Sequence, residues 1–294
     1  MRIKPFQYHA ASNLPEALSI LEKEEGQAKA LAGGTDLVLA MKHKAVLPKK
    51  VVSLHRIKEM TGVGAADGLL KIGSLATHSD IAVHPELGQA IPVLCQAVSL
   101  IGSWQIRNTA TIGGNLAHAS PAADSAPPLL ALDAVLVIAS PDGETQMPLA
   151  SFFTGPGDTL LKPGQLIKEI IIPKPQGRSF GRYLKLMRKK AVDLSQAGLA
   201  FQAELDAEGA KLAKVAIGLG GVAPTPIRAA EAESMLTGLA CDEAMKKIPQ
   251  VAGAVVAATS PIDDIRATAS YRQLMVEVFF KRAANEVLTS LMPD

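Results

Sequence analysis

Two glycine pairs sit where residue type and spacing could do chemistry. The first lies in Ala32-Gly33-Gly34-Thr35-Asp36 and the second in Thr111-Ile112-Gly113-Gly114-Asn115. A glycine pair between a strand and a helix bares backbone N–H groups at a positive helix end, which suits a phosphate. Neither segment has the GxGxxG spacing of the doubly wound dinucleotide fold, and the first lacks the lysine of a P-loop. A plain tight turn is the competing reading of the first pair. The second adds side-chain donors, Thr111 and Asn115, beside glycines that let a ligand approach the backbone. Two such loops on opposite sides of a pyrophosphate would supply neutral donors without a metal. Residue chemistry alone reaches a diphosphate and stops there.

Other reactive residue types form no constellation. Cys95 and Cys241 are the two cysteines, too few for a disulfide framework or a cysteine-ligated cluster, and they read as buried thiols in a reducing compartment. His9, His43, His55, His78 and His84 show no metal-ligand spacing and read as surface or capping residues. No His/Ser/Glu grouping marks a general acid, base or nucleophile. Neither a catalytic residue nor a metal ligand is therefore assigned.

The elements that must position these loops can be read from periodicity. Asn13 caps a helix with Glu16 at its third position and an apolar stripe through Leu14, Ala17, Ile20 and Leu21. A strand over 28–32 leads into the first glycine pair, and Thr35-Asp36 opens a helix through Met41. Strands follow at 51–54 and 69–72, a short helix at 77–82 and a longer one over 87–101. Arg107–Ala126 then reads as a long irregular stretch, and such a stretch inside a compact domain is usually functional. Strands at 135–139 and 166–172 close this part. Pro173–Gly181 is the best linker. Beyond it strands at 183–187, 199–205 and 215–219 precede helices at 227–236, 241–258 and 268–288, the α+β order.

Composition bounds the class. Thirty Lys and Arg against 28 Asp and Glu leave a formal charge of +2 in 294 residues, which argues against nucleic acid or anionic membrane as partner. With 48% hydrophobic and 20% charged residues the chain is globular, and 4% aromatics offer few stacking platforms for bases. No signal-peptide stretch opens it, and the uncharged run Leu87–Ile106 is too polar for a span. A cytoplasmic location is expected.

The pairing of AGGTDL near position 32 with QIRNTATIGGNLAHASPAADSAPPLLALDA from position 105 resembles the FAD-binding subunit of molybdenum hydroxylases, the family of the carbon monoxide dehydrogenase medium subunit and the xanthine dehydrogenase flavin domain. The resemblance spans the whole chain. It implies an α+β fold: a two-subdomain FAD-binding domain of the vanillyl-alcohol-oxidase or p-cresol-methylhydroxylase type over 1–176 (subdomains about 1–55 and 56–176), then a flavoprotein C-terminal domain over 177–294.

Carried over by residue, it implies that Lys29, Ala30, Leu31, Ala32, Gly33, Gly34, Thr35 and Asp36 form one FAD loop, and Thr111, Ile112, Gly113, Gly114 and Asn115 the other. Asp124 matches a carboxylate on the flavin nucleotide, suited to ribityl or ribose hydroxyls, with a helix cap as the alternative. Lys185 matches a contact from the second domain, against a solvated strand lysine. Ile101 and Ile167 match apolar contacts, against ordinary core packing. Arg107 either neutralises cofactor charge or braces the loop through backbone carbonyls. Covalent flavin attachment at His118 is not implied, so FAD is expected to be non-covalent. Some relatives hold a [4Fe–4S] cluster in a four-cysteine insertion, which two cysteines exclude here.

The implied activity is that of an oxidoreductase subunit. FAD would take electrons from [2Fe–2S] clusters of a small partner subunit, fed by a molybdopterin-binding large subunit, in a heterotrimer or its dimer. An external acceptor such as a quinone, NAD or dioxygen would receive them. The alternatives are a self-sufficient FAD oxidoreductase of the same fold and a flavin-free assembly subunit. The substrate pocket of the complex would lie on another chain.

Overall fold

The computed structural model describes residues 3–189 and 192–292. Its first unit alternates strand and helix: β1 (Gln7–Ala10), α1 (Leu14–Lys23), β2 (Ala28–Leu31), α2 (Leu37–Lys42) and β3 (Lys50–Ser53). The strands pair in parallel in the order β1-β3-β2, as helical crossovers require. Asn13 caps α1 by accepting from the Glu16 N–H, and Leu14, Ala17, Leu18 and Leu21 form its buried stripe. β1 has no sequence signal because its first two residues are exposed, its last two half-buried, and the burial does not alternate.

The second unit is built on β4 (Val63–Ala66), β5 (Leu69–Gly73), α3 (His78–Ala82), α4 (Pro85–Ala90), α5 (Pro92–Ser99), α6 (Trp104–Arg107), α7 (Ile112–His118), α8 (Ala126–Ala131), β6 (Val135–Ser140), β7 (Gly143–Pro148), β8 (Phe153–Gly155), β9 (Asp158–Thr159) and β10 (Leu166–Pro173). Five of these strands form an antiparallel sheet in the order β4-β5-β10-β6-β7. Two expectations are corrected here. The helix over 87–101 is interrupted at Ile91 (φ −140°, ψ 58°), because a residue before proline is pushed out of the helical region. The stretch 107–126 is not irregular: it holds α7 and runs into α8. Its Gly, Asn and Thr content hid a helix that tertiary packing stabilises.

The third unit contains β11 (Ser179–Leu186), β12 (Ala197–Leu205), β13 (Leu212–Gly220), β14 (Ile227–Arg228), α9 (Ala230–Ser234), α10 (Cys241–Ala257) and α11 (Ala269–Leu291). Its four strands are antiparallel in sequence order. β11 starts inside the expected linker, which is therefore shorter than the proline and glycine content suggests. The helix expected over 227–236 is also smaller, because Ile227 and Arg228 pair with Leu219 and Gly218 before α9 begins. α11 packs on β11 and β12, whereas α5 and α8 of the second unit pack on β11, β12 and β13. The approach is close: a Cβ on Gly218 would lie 2.0 Å from the Pro127 carbonyl oxygen. One core cluster accordingly runs through both units and includes Tyr183, Ala200 and Ala216. Among the described residues no helix is long and apolar enough to cross a membrane.

Candidate cofactor site

The first glycine pair connects β2 to α2. Lys29, Ala30 and Leu31 are strand residues paired with Val51, Val52 and Ser53, and the Lys29 side chain is exposed. At Gly34 the chain turns with φ +76°, a conformation that strains any residue with a Cβ. Among the described residues, the backbone N–H groups of Gly33, Gly34, Thr35 and Asp36 donate to no other backbone group of the chain. Four consecutive unengaged amides are available as donors to an anion.

The second pair lies against the first. A Cβ on Gly33 would stand 2.0 Å from the Thr109 carbonyl oxygen, so glycine is required for the two segments to touch. A Cβ on Gly114 would lie 3.8 Å from Ala32 Cβ, and His118 Nε2 lies 3.8 Å from Asp36 Oδ1. The structure thus brings together loops that the sequence could only pair by analogy.

The second loop differs from the first in how its amides are used. Thr111 caps α7, its Oγ1 accepting from the Gly114 N–H at 3.1 Å. The Ile112 and Gly113 N–H groups donate to the Ala76 and Ser74 carbonyls. Gly113 has no side chain because its Cβ would fall 2.5 Å from Ser74 Cβ. The donors this loop retains are the Thr111 hydroxyl and the Asn115 carboxamide nitrogen, since Asn115 Oδ1 accepts from Ser125 Oγ at 2.7 Å.

Asp124 is not a helix cap, and Lys185 is not a solvated strand lysine. Lys185, with its side chain 1% exposed, donates from Nζ to Asp124 Oδ2 at 2.8 Å and to the Leu100 carbonyl at 2.9 Å. Tyr183, two residues earlier on the same face of β11, donates its hydroxyl to Asp124 Oδ1 at 2.7 Å. Burial pushes the Asp124 carboxyl upward against the pull of Lys185 and Tyr183, and pushes the Tyr183 phenol well above its ordinary value. Tyr183 was missed in the sequence because a strand tyrosine reads as packing.

Arg107 takes the bracing role: its guanidinium donates to the Ile101 carbonyl at 2.9 Å and the Gly102 carbonyl at 3.4 Å. Ile167 is buried on β10 opposite Ile138, and Ile101 packs against the same core while half-buried. His78 is no surface residue. It is fully buried at the start of α3, and neither ring nitrogen has a hydrogen-bond partner. Burial, and next the Arg107 charge, push it down from 6.5 to about 4, so it is neutral at physiological pH. Its backbone N–H donates to the Ala110 carbonyl, directly beneath the second loop. Among the described residues no group of three or more His, Cys, Asp or Glu is placed to hold a metal.

Residues 4–175 match the model of the FAD binding domain in molybdopterin dehydrogenase, and residues 182–287 that of the CO dehydrogenase flavoprotein C-terminal domain. The chain belongs to this flavoprotein family. It is 31% identical over 285 residues to a putative xanthine dehydrogenase FAD-binding subunit of Escherichia coli strain K12, covering 96% of each chain. It is 33% identical over 281 residues to the carbon monoxide dehydrogenase medium chain of Hydrogenophaga pseudoflava, covering 95% of this chain and 96% of that one. Its structure superposes on carbon monoxide dehydrogenase from H. pseudoflava with a TM-score of 0.92 at 32% identity, over 100% of both chains.

This flavoprotein is an oxidoreductase subunit, and its residues fit FAD on their own chemistry. The unengaged amides of 33–36 match a pyrophosphate, and the two free side-chain donors of the facing loop match its other side. A cavity of about 230 Å³ lined by Lys4, Met41 and Leu47 lies at the opposite end of α2 and takes no part.

Proposed function

We propose that this flavoprotein carries electrons from the [2Fe–2S] clusters of a small partner subunit to an external acceptor, with a molybdopterin-binding large subunit as the source. The observation that carries the reading is the row of four unengaged amides held against the 109–115 segment. The amides of Gly33–Asp36 grip the pyrophosphate, and the Thr111 hydroxyl and Asn115 carboxamide donate to it from across the cleft. Asp124 and Lys185 orient sugar hydroxyls, and Ile101 and Ile167 give apolar contact. Bound FAD supplies one- and two-electron chemistry, which lets single-electron clusters communicate with a two-electron acceptor.

The remaining tasks of this chain are binding and positioning. Water activation and substrate choice are assigned to the molybdopterin-binding subunit of the complex. The domain division at 176/177 follows the family reading, with the Asp124–Lys185 pair crossing it. The complex is a heterotrimer or its dimer in the cytoplasm, and the acceptor is a quinone, NAD or dioxygen.

The purified chain should carry one FAD, and acid precipitation should leave the yellow cofactor in the supernatant. Flavin in the pellet would overturn non-covalent binding, and no flavin after reconstitution would overturn binding itself.

A further inference from the structure

Asp124 is buried with acceptor capacity left over. Each oxygen has one protein donor, the Tyr183 hydroxyl at 2.7 Å on Oδ1 and Lys185 Nζ at 2.8 Å on Oδ2, and among the described residues no other donor reaches it. An ionised carboxylate has about four acceptor sites, so each oxygen keeps one open. Lys185 uses one donor on Asp124 and one on the Leu100 carbonyl and keeps a third. Packing alone does not call for such a cluster, because burying an ion pair costs desolvation that apolar side chains of the same volume avoid. The open acceptors belong to a turn fastened to the second glycine loop: Ser125, the next residue, donates from Oγ to Asn115 Oδ1 at 2.7 Å.

Three elements hold Tyr183 against this carboxylate. The turn between α7 and α8 supplies Asp124 itself. α5 fixes the backbone, with Gln96 Oε1 accepting from the Tyr183 N–H at 3.0 Å. β12 makes room for the phenol: a Cβ on Gly198 would lie 2.5 Å from the Tyr183 hydroxyl oxygen. The empty side-chain position at Gly198 therefore accommodates the hydroxyl, the one group that separates tyrosine from a phenylalanine of the same ring volume.

We propose that Tyr183 is a positioning residue of the cofactor site, its hydroxyl fixing the Asp124 carboxylate so that the open acceptor sites take sugar hydroxyls of FAD. The inference rests on the FAD reading above and adds to it a residue of the third unit. With one donor on each oxygen, the carboxylate cannot turn without breaking a hydrogen bond to an ionised group, which is among the stronger kinds. Held at Oδ2 alone it pivots about the Lys185 contact, and the acceptors offered to FAD move with it. Tyr183 thus acts through Asp124.

The test uses the full chain stripped of flavin and titrated with FAD, as wild type, Tyr183→Phe, Asp124→Asn and the double variant. Tyr183→Phe removes one oxygen and leaves the ring in its seat. It should weaken FAD binding about tenfold, and Asp124→Asn at least as much. The double variant should bind no more weakly than Asp124→Asn alone, since both changes remove one interaction. The visible circular dichroism of the bound flavin, which reports how the cofactor is held, should change alike in the two single variants. Gly198→Ala, which crowds the phenol from β12 without altering Asp124, should also weaken FAD binding and add nothing once Asp124→Asn is present. A packing role for Tyr183 would lower the denaturation midpoint of the flavin-free chain while FAD affinity and dichroism stayed at wild-type values, and that result would overturn the inference. Losses that add in the double variant would overturn it too. A wild-type chain that takes up no FAD would sink the cofactor reading together with this role, whereas normal wild-type uptake with no loss in Tyr183→Phe would sink the role alone.

Discussion

Gly33 and Gly113 lack side chains because protein, not ligand, occupies the space. A Cβ on either would collide with a neighbouring backbone or side chain, at Thr109 and Ser74 respectively. Gly34 is glycine for another reason, its positive φ, which residues with a Cβ rarely adopt. The sequence announces glycines but not which of these demands each meets, since the colliding partner is far away in the chain. His78 shows the same limit: burial is a tertiary property, and a histidine beside Thr77 reads as a cap. Its consequence is a pH dependence. Between 6.5 and about 4 the unfolded chain binds a proton at this residue that the folded chain does not, so stability falls as pH drops through that window. The full loss amounts to about 3 kcal/mol. Chemical denaturation of wild type and His78→Phe at pH 7 and pH 4.5 should show a smaller pH-induced loss in the variant. An equal loss in both would show that this imidazole does not titrate abnormally.

At the scale of elements, β11 joins the third unit to the second at Asp124. Tyr183 and Lys185 alternate onto one face of the strand and both reach Asp124, which sits in the turn between α7 and α8. Alternation within β11 was readable, but its partner lies on a turn remote in sequence. Family resemblance singled out Asp124 and Lys185 separately without indicating that they touch. α7 was obscured more thoroughly, because a Thr cap followed by two glycines looks like a loop until Ser74 and Ala76 supply the acceptors for its first turn. The buried pair makes a sharp prediction. Lys185→Met leaves the Asp124 carboxylate with one partner in a dry setting and should cost about 3–5 kcal/mol in denaturant unfolding. Adding Asp124→Asn should recover a good part of that loss, because the stranded charge is gone. Additive losses in the double variant would mean that the two residues act independently.

Over the whole molecule, a parallel three-stranded unit supplies the unengaged amides, a five-stranded antiparallel unit supplies the facing loop, and the third unit packs on the second through a shared core. The order of strands before helices in the last unit was legible because hairpin turns and periodicity are local. Its tight seating on α8 was not, since Gly218 and Gly220 carry no sign of Pro127. In the proposed reading this architecture holds FAD between the two glycine loops, and oxygen insertion into a C–H bond is the work of a partner subunit. The central claim is therefore a division of labour, and steady-state assay of the isolated FAD-loaded chain tests it directly. Candidate aldehydes, purines, N-heterocycles and carbon monoxide should not be turned over, while chemically reduced FAD on the same chain should reduce an artificial acceptor. Adding the molybdopterin and [2Fe–2S] subunits should restore substrate oxidation. Robust substrate turnover by the isolated chain would contradict the account and identify a self-sufficient oxidoreductase.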